Sequence, residues 1–111
     1  MKILYSKHFP PRRFSAINLF GLIIVRKEHG ILNITEQNHE RIHTRQMLEM
    51  LVVFFYLFYV TEWFIRLLQY GNRYAAYRNI SFEREAYRNM HNLNYLKNRK
   101  IYAFVKYMKQ K

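Results

Sequence analysis

Residues 35–70, TEQNHERIHTRQMLEMLVVFFYLFYVTEWFIRLLQY, pass without a glycine or a proline. That absence predicts helix throughout, since those two residues break helices most strongly. Thr35 is the expected N-cap, and Glu36 falls in the first turn, where the helix dipole favours negative charge. One helix from Glu36 to about Tyr70 exceeds the usual globular length, so two helices or a kink are expected, with the change near residues 52–56. Gly71-Asn72 then supplies a C-terminal stop.

Upstream, residues 1–11 read as an extended lead-in ending at Pro10-Pro11. Residues 14–25 are rich in Ile, Phe and Val and broken by Gly21, which suits one or two short strands. Residues 26–30 read as a turn and residues 31–34 as a further short strand. Downstream, residues 73–80 read as a loop, and Ser81 as the N-cap of a helix over residues 82–95. A basic junction at residues 97–100 and an amphipathic turn or two at residues 101–108 complete the chain. The expected fold is α+β and predominantly helical, a single domain over residues 1–111. Its N-terminal hairpin or small sheet occupies residues 1–34 and its helical part residues 35–111.

Composition narrows the chemistry. There is no cysteine, which excludes disulfides, Cys-based zinc fingers and thiol nucleophiles. All seven acidic residues are glutamates, so any mechanism needing a carboxylate must choose among Glu28, Glu36, Glu40, Glu49, Glu62, Glu83 and Glu85. Nineteen Lys and Arg give a formal net charge of +12, a field that attracts nucleic acid, anionic lipid or acidic protein. Phosphate-cradling glycine loops and a Gly-x-Ser-x-Gly elbow are absent, leaving nucleotide hydrolysis and serine-hydrolase chemistry without support. No apolar secretory segment is visible at the start, so a cytoplasmic or cytoplasm-facing, membrane-associated location is expected.

Within the helical stretch, His39-Glu40-Arg41-Ile42-His43 is a complete His-Glu-x-x-His. Residues i and i+4 of a helix share a side, so both imidazoles can reach one metal ion. Glu40 is rotated by about 100° from His39, outside the ligand shell yet close enough to act on a zinc-bound water as its base. The competing reading is two surface histidines with incidental spacing. Because position 49 is a glutamate turned roughly 240° from His43, a third histidine six residues on is excluded. His8, His29 and His91 are isolated and read as surface residues. That leaves Ser81-Phe82-Glu83-Arg84-Glu85-Ala86-Tyr87, whose two carboxylates point about 200° apart, so that only one can face the ion.

This pairing resembles the gluzincin metallopeptidases, which join His-Glu-x-x-His to a glutamate on a following helix in a Glu-x-x-Ala-Asp setting. Glu83-Arg84-Glu85-Ala86-Tyr87 matches through the alanine, which implies Zn2+ held by His39, His43 and Glu83, with Glu85 the alternative third ligand. Tyr87 stands where the family has Asp, so the role of that Asp behind a ligand histidine is unassigned here. The stretch from His39 to Tyr107 is also similar to a group of short bacterial proteins sharing Asn-His-Glu-x-Ile-His and Asn-Ile-Ser-Phe-Glu-Arg-Glu-Ala-Tyr. That similarity implies no particular substrate.

The resulting expectation is a zinc metallopeptidase cleaving a peptide or protein substrate. Glu40 would act as base and then acid, and Tyr87 or Arg84 would steady the oxyanion. An edge strand before the active helix would align the substrate by main-chain pairing. A chain this small leaves room for a homodimer or protein partner to complete a cleft. Two other classes stand beside it: a non-catalytic zinc-stabilised module, and a basic protein bound to nucleic acid or an anionic membrane. The aromatics Phe54, Phe55, Tyr56, Phe58, Tyr59, Trp63 and Phe64 read as core. Arg73, Tyr74, Tyr77, Arg78, Arg84, Tyr87 and Arg88 interleave charge with rings, as a nucleic-acid surface would, or form a solvated helix face. Lys97, Arg99, Lys100, Lys106, Lys109 and Lys111 read as a charged tail.

The apolar run over residues 50–68 reads as a core helix first and an interfacial helix second. A single span there would part His39 and His43 from Glu83, whereas a hairpin folding back beside the active helix would let them meet.

Overall fold

The computed structural model describes residues 2–10 and 14–109. Pro11, at the end of the expected lead-in, and Lys111 of the basic tail lie outside them. The chain is α+β, with a small three-stranded sheet followed by helices.

Strands β1 (Lys2–Ser6), β2 (Ala16–Leu19) and β3 (Leu22–Arg26) lie in the order β1-β3-β2. β1 runs parallel to β3, pairing Lys2 with Leu22 through Ser6 with Arg26. β2 runs antiparallel to β3, pairing Leu19 with Leu22 across the two-residue turn Phe20-Gly21. Both turn residues have positive φ, 55° and 90°, the twist that suits a tight hairpin and explains the glycine. A 3-10 turn, Lys27–His29, follows.

The strand expected over residues 31–34 does not form. Leu32 packs instead under the sheet with Ile23 and Val25. Helix α1 (Ile34–Glu49) starts earlier than expected, with Asn33 rather than Thr35 as its cap. The Asn33 side chain accepts from the Glu36 N–H, and the Glu36 carboxylate accepts from the Asn33 N–H. This reciprocal pair satisfies two donors that a Thr35 cap would leave open.

The helical run breaks at residues 50–52, where Leu51 and Val52 adopt φ of 54° and 58°. Helix α2 (Val53–Tyr70) departs at 111° to α1, between a right angle and a full hairpin. It ends at Gly71, left-handed at φ 66°, whose N–H reaches the Leu67 carbonyl. The loop expected next is a short helix, α3 (Arg73–Arg78), because Asn72 caps it by accepting from the Ala75 N–H.

Helix α4 (Ser81–Asn89) carries the second motif, with Ile80 at its cap position. Ser81 caps nothing itself: its N–H and hydroxyl both donate to Glu62 of α2, at 2.8 and 2.6 Å. A carboxylate from another helix thus does the capping, and the same Glu62 pairs with Arg66 at 3.1 Å. α4 stops near Asn89 instead of residue 95, because the buried Asn38 amide donates to the carbonyls of Met90 and Asn92. A four-residue helix, α5 (Tyr95–Asn98), and a 3-10 segment, Ala103–Met108, close the chain.

The helical core gathers Met47 of α1, Phe55 of α2, Ile80 and Phe82 around α4, and Phe104. The core reading of the 50–68 run holds for one side of α2 only, since its buried residues are Phe55 and Arg66. Among the described residues no single helix is long and apolar enough to cross a membrane.

Candidate metal centre

Helix α1 turns His39, Ile42, His43 and Gln46 inward, a stripe at i, i+3, i+4 and i+7. Helix α4 packs against it and brings Glu83 to the two imidazoles. His43 Nε2 lies 2.9 Å from Glu83 Oε1 and 3.1 Å from His39 Nε2, and His39 Nε2 lies 3.4 Å from Glu83 Oε1. All three residues are buried. A carboxylate and two imidazoles removed from water are costly unless they share a charge. Three donors about 3.3 Å apart are what a tetrahedral ion with bonds of 2.0–2.1 Å requires. The group can hold a metal ion, with a ligand set of two nitrogens and one oxygen.

The surroundings orient these donors. His43 Nδ1 donates to Gln46 Oε1 at 2.8 Å, which fixes the ring so that Nε2 faces Glu83. Gln46 in turn donates to the Phe82 carbonyl and to Glu85 Oε1. The Tyr59 hydroxyl of α2 donates to Glu83 Oε2 at 2.6 Å, leaving Oε1 for the histidines. Tyr87 sets its ring edge-on to His39, with centroids 4.5 Å apart.

Charge follows the geometry. Burial pushes His43 down, but the Glu83 carboxylate, its hydrogen bond and Glu40 together hold the imidazolium up to about 9. Burial pushes Glu83 up, and the adjoining His43 and His39 outweigh it, keeping the carboxyl well below its ordinary range. A metal ion held by the group would take the place of the proton these residues share. Burial raises Glu40, the charges of His43 and His39 hold it back, and Glu83 adds to the rise.

Glu40 and His39 face a cleft of about 280 Å³ lined also by Phe14, Tyr74, Tyr77, Tyr87 and Met90. The Tyr77 and Tyr87 hydroxyls are 2.8 Å apart on its wall, and burial raises both above the ordinary phenol range. The interleaved stretch that reads as a base-stacking surface therefore contributes three of its tyrosines to this cleft.

Other residues singled out in the sequence sit elsewhere. Glu85 points away from the histidines, fully buried between Gln46, Tyr95 and Arg99. Arg84 is buried against the Tyr107 carbonyl and Asn79. Glu49 grips Arg99 with both oxygens, at 2.6 and 3.0 Å. His8, His29 and His91 are exposed, and His29 pairs with Glu36 at 2.7 Å. The strand immediately before α1, β3, is the centre of the sheet and no edge. The edge strand beside α1 is β2, where the Asn18 amide donates to the Glu40 carbonyl and to Thr44.

Sequence reasoning missed Gln46, Tyr59 and Tyr77. Only Gln46 carries a local signal, its i+3 spacing from His43. Tyr59 reaches Glu83 across 24 positions and was indistinguishable from its aromatic neighbours.

The described site is thus a buried His-His-Glu group on two packed helices, beside an open tyrosine-lined cleft. No family model matches the chain, nor does any curated protein or solved structure.

Proposed function

We propose that the chain is a small zinc-dependent peptidase of gluzincin-like design. The observation carrying this reading is the convergence of His39, His43 and Glu83 on one point, with Glu40 next to them at the cleft. Two imidazoles and one carboxylate suit zinc, and three protein ligands leave a fourth position open, as catalytic rather than structural sites do. Bound there, zinc would supply Lewis acidity and make water a nucleophile near neutral pH.

The chain's own residues do the rest. The Glu40 carboxylate takes a proton from the attacking water as its oxygen bonds to the peptide carbonyl carbon. It returns that proton to the amine nitrogen as the carbon–nitrogen bond breaks. Burial raises the basicity of Glu40, which suits this exchange. The Tyr87 and Tyr77 hydroxyls line the cleft beside Glu40 and are the donors available to a developing oxyanion. Arg84, held by the Tyr107 carbonyl, is not assigned that role.

Metal analysis of untagged protein, followed by peptide hydrolysis, tests the proposal. We expect about one zinc per chain, lost in His39→Ala and Glu83→Ala and kept in Glu85→Ala and Glu40→Gln. Glu40→Gln should lower hydrolysis by about 10²–10⁴-fold. Iron in place of zinc would redirect the reading to oxygen chemistry, which the same ligand set also suits. Failure to take up zinc at neutral pH would end it.

A further inference from the structure

Helix α2 is apolar on the side that the fold leaves uncovered. At 100° per residue its buried and half-buried positions, Phe55, Tyr56, Tyr59, Glu62, Trp63, Arg66 and Leu67, occupy one side of the helix. Phe54, Leu57, Phe58, Phe64, Ile65 and Leu68 occupy the other, and all are exposed, Leu68 at 89%. Thr61 is the one polar residue in this stripe, which with the exposed Val53 and Val60 is about 160° wide and carries no charge. Leu51 in the break and Leu48 in the last turn of α1 are also apolar and exposed. Single exposed leucines need no explanation, but a continuous apolar face of this size marks a surface that is covered in use.

Charge decides what covers it. The net charge is +12, and each of the seven glutamates has a partner within the chain, although Glu28 is itself exposed. Glu28, Glu49, Glu62 and Glu85 pair with arginines, Glu83 lies on the two histidines, and Glu36 caps α1. Glu40 stands against His39 and His43. The outer surface is therefore cationic around an uncharged stripe. Arg41 and Arg45 share the outer face of α1 with Leu48, and Arg73 follows the far end of α2, all three exposed. A second copy of so basic a chain would be repelled. Nucleic acid would find cations but no use for an uncharged apolar face.

We propose that this face docks on an anionic lipid bilayer, with α2 lying in the plane of the headgroup boundary and the arginines on acidic headgroups. Among the described residues no single helix is long and apolar enough to cross, and the association proposed is peripheral. Tyr59, which holds Glu83, sits about 180° around α2 from the centre of the stripe. The metal centre then rides on the far side of the docked helix, roughly 10 Å from the lipid, placing its cleft where membrane-proximal chain segments pass.

Flotation of the full chain with vesicles tests this. Wild type should rise with vesicles of roughly 30 mol % phosphatidylglycerol in phosphatidylcholine, and at least tenfold less with pure phosphatidylcholine. Raising salt from about 0.1 M to about 1 M should weaken the anionic binding. Leu57→Ser/Phe64→Ser/Leu68→Ser should bind at least tenfold less while keeping the helical circular dichroism of wild type. If that triple variant does not fold, Leu68→Ser alone, at the most exposed position, should still lower binding severalfold. Wild type remaining at the bottom with anionic vesicles would overturn the proposal, as would stripe variants that float equally well. So would a lipid-free dimer that the stripe substitutions convert to monomer. None of these residues belongs to the metal group, so either result leaves the zinc reading to its own test.

Discussion

Gln46 and His43 are joined by a 2.8 Å contact from His43 Nδ1 to Gln46 Oε1, one helical turn apart and both buried. The amide has a second duty, since its nitrogen donates to Glu85 Oε1 and to the Phe82 carbonyl of α4. One side chain thereby fixes the tautomer of a candidate ligand and ties α1 to the helix that presents Glu83. Gln46→Ala should weaken metal affinity by about 10–100-fold, the usual effect of removing a partner that orients a ligand. Competition against a chromophoric chelator measures it. Gln46→Glu keeps the acceptor for His43 and loses the donor to Glu85, so it should recover much of the affinity while remaining destabilised. An unchanged affinity in Gln46→Ala would reduce the residue to packing.

Glu85 and Glu83 are two positions apart and do opposite work. Glu85 accepts from Tyr95, Gln46 and Arg99, and these partners hold its carboxyl below the ordinary 4.5 even though burial pushes it up. A folded-state value below the unfolded one means that Glu85 stabilises the fold above about pH 4.5 and that this contribution is lost as pH falls through the folded value. Urea midpoints of the wild type should therefore drop between about pH 6 and about pH 3. Glu85→Gln should show a shallower slope over that range. At neutral pH it should lose about 1–3 kcal/mol, since Arg99 keeps Glu49 as a charged partner. Its metal stoichiometry should not change. A parallel slope in the two proteins would contradict the assignment.

The sequence exposed the local parts of this design and concealed the rest. His39, Glu40 and His43 lie within about one turn of one helix, so short-range spacing sufficed for them, whereas Glu83 was singled out only by the resemblance of its motif. Spacing alone could not choose between Glu83 and Glu85, because that depends on Arg99 and Tyr95 arriving from the C-terminal segment to claim Glu85. Ser81 looks like a cap in sequence, and only the tertiary approach of Glu62 shows that it is itself being capped. The apolar run over residues 50–68 was legible as hydrophobic but not as one-sided. Which face of an all-apolar helix is buried depends on what packs against it.

The α1–α2 break rests on two residues with unfavourable backbones. Leu51 is 72% exposed at φ 54°, a conformation that glycine adopts freely and leucine does not. Leu51→Gly should raise stability by about 0.5–1 kcal/mol in thermal or urea unfolding, since it relieves strain without removing a buried side chain. Val52 has the same sign of φ but packs against the helical core, so Val52→Gly should gain less or lose outright. A destabilised Leu51→Gly would mean that the apolar side chain has a partner covering it in solution.

Tyr59 separates the metal's needs from the fold's. Its hydroxyl donates to Glu83 Oε2 at 2.6 Å from the inner face of α2, and its ring is half-buried in the aromatic core with Phe55 and Phe82. Tyr59→Phe keeps the ring and removes the proton. Without metal, Glu83 would lose one of the donors that make its burial tolerable, at a cost of about 1–3 kcal/mol. With metal bound, the ion's own charge compensates Glu83, so the same substitution should cost less. Unfolding of wild type and Tyr59→Phe with saturating zinc and with chelator should therefore give a larger difference in chelator. An equal difference in both would show that Glu83 is held by the protein alone and does not meet the ion.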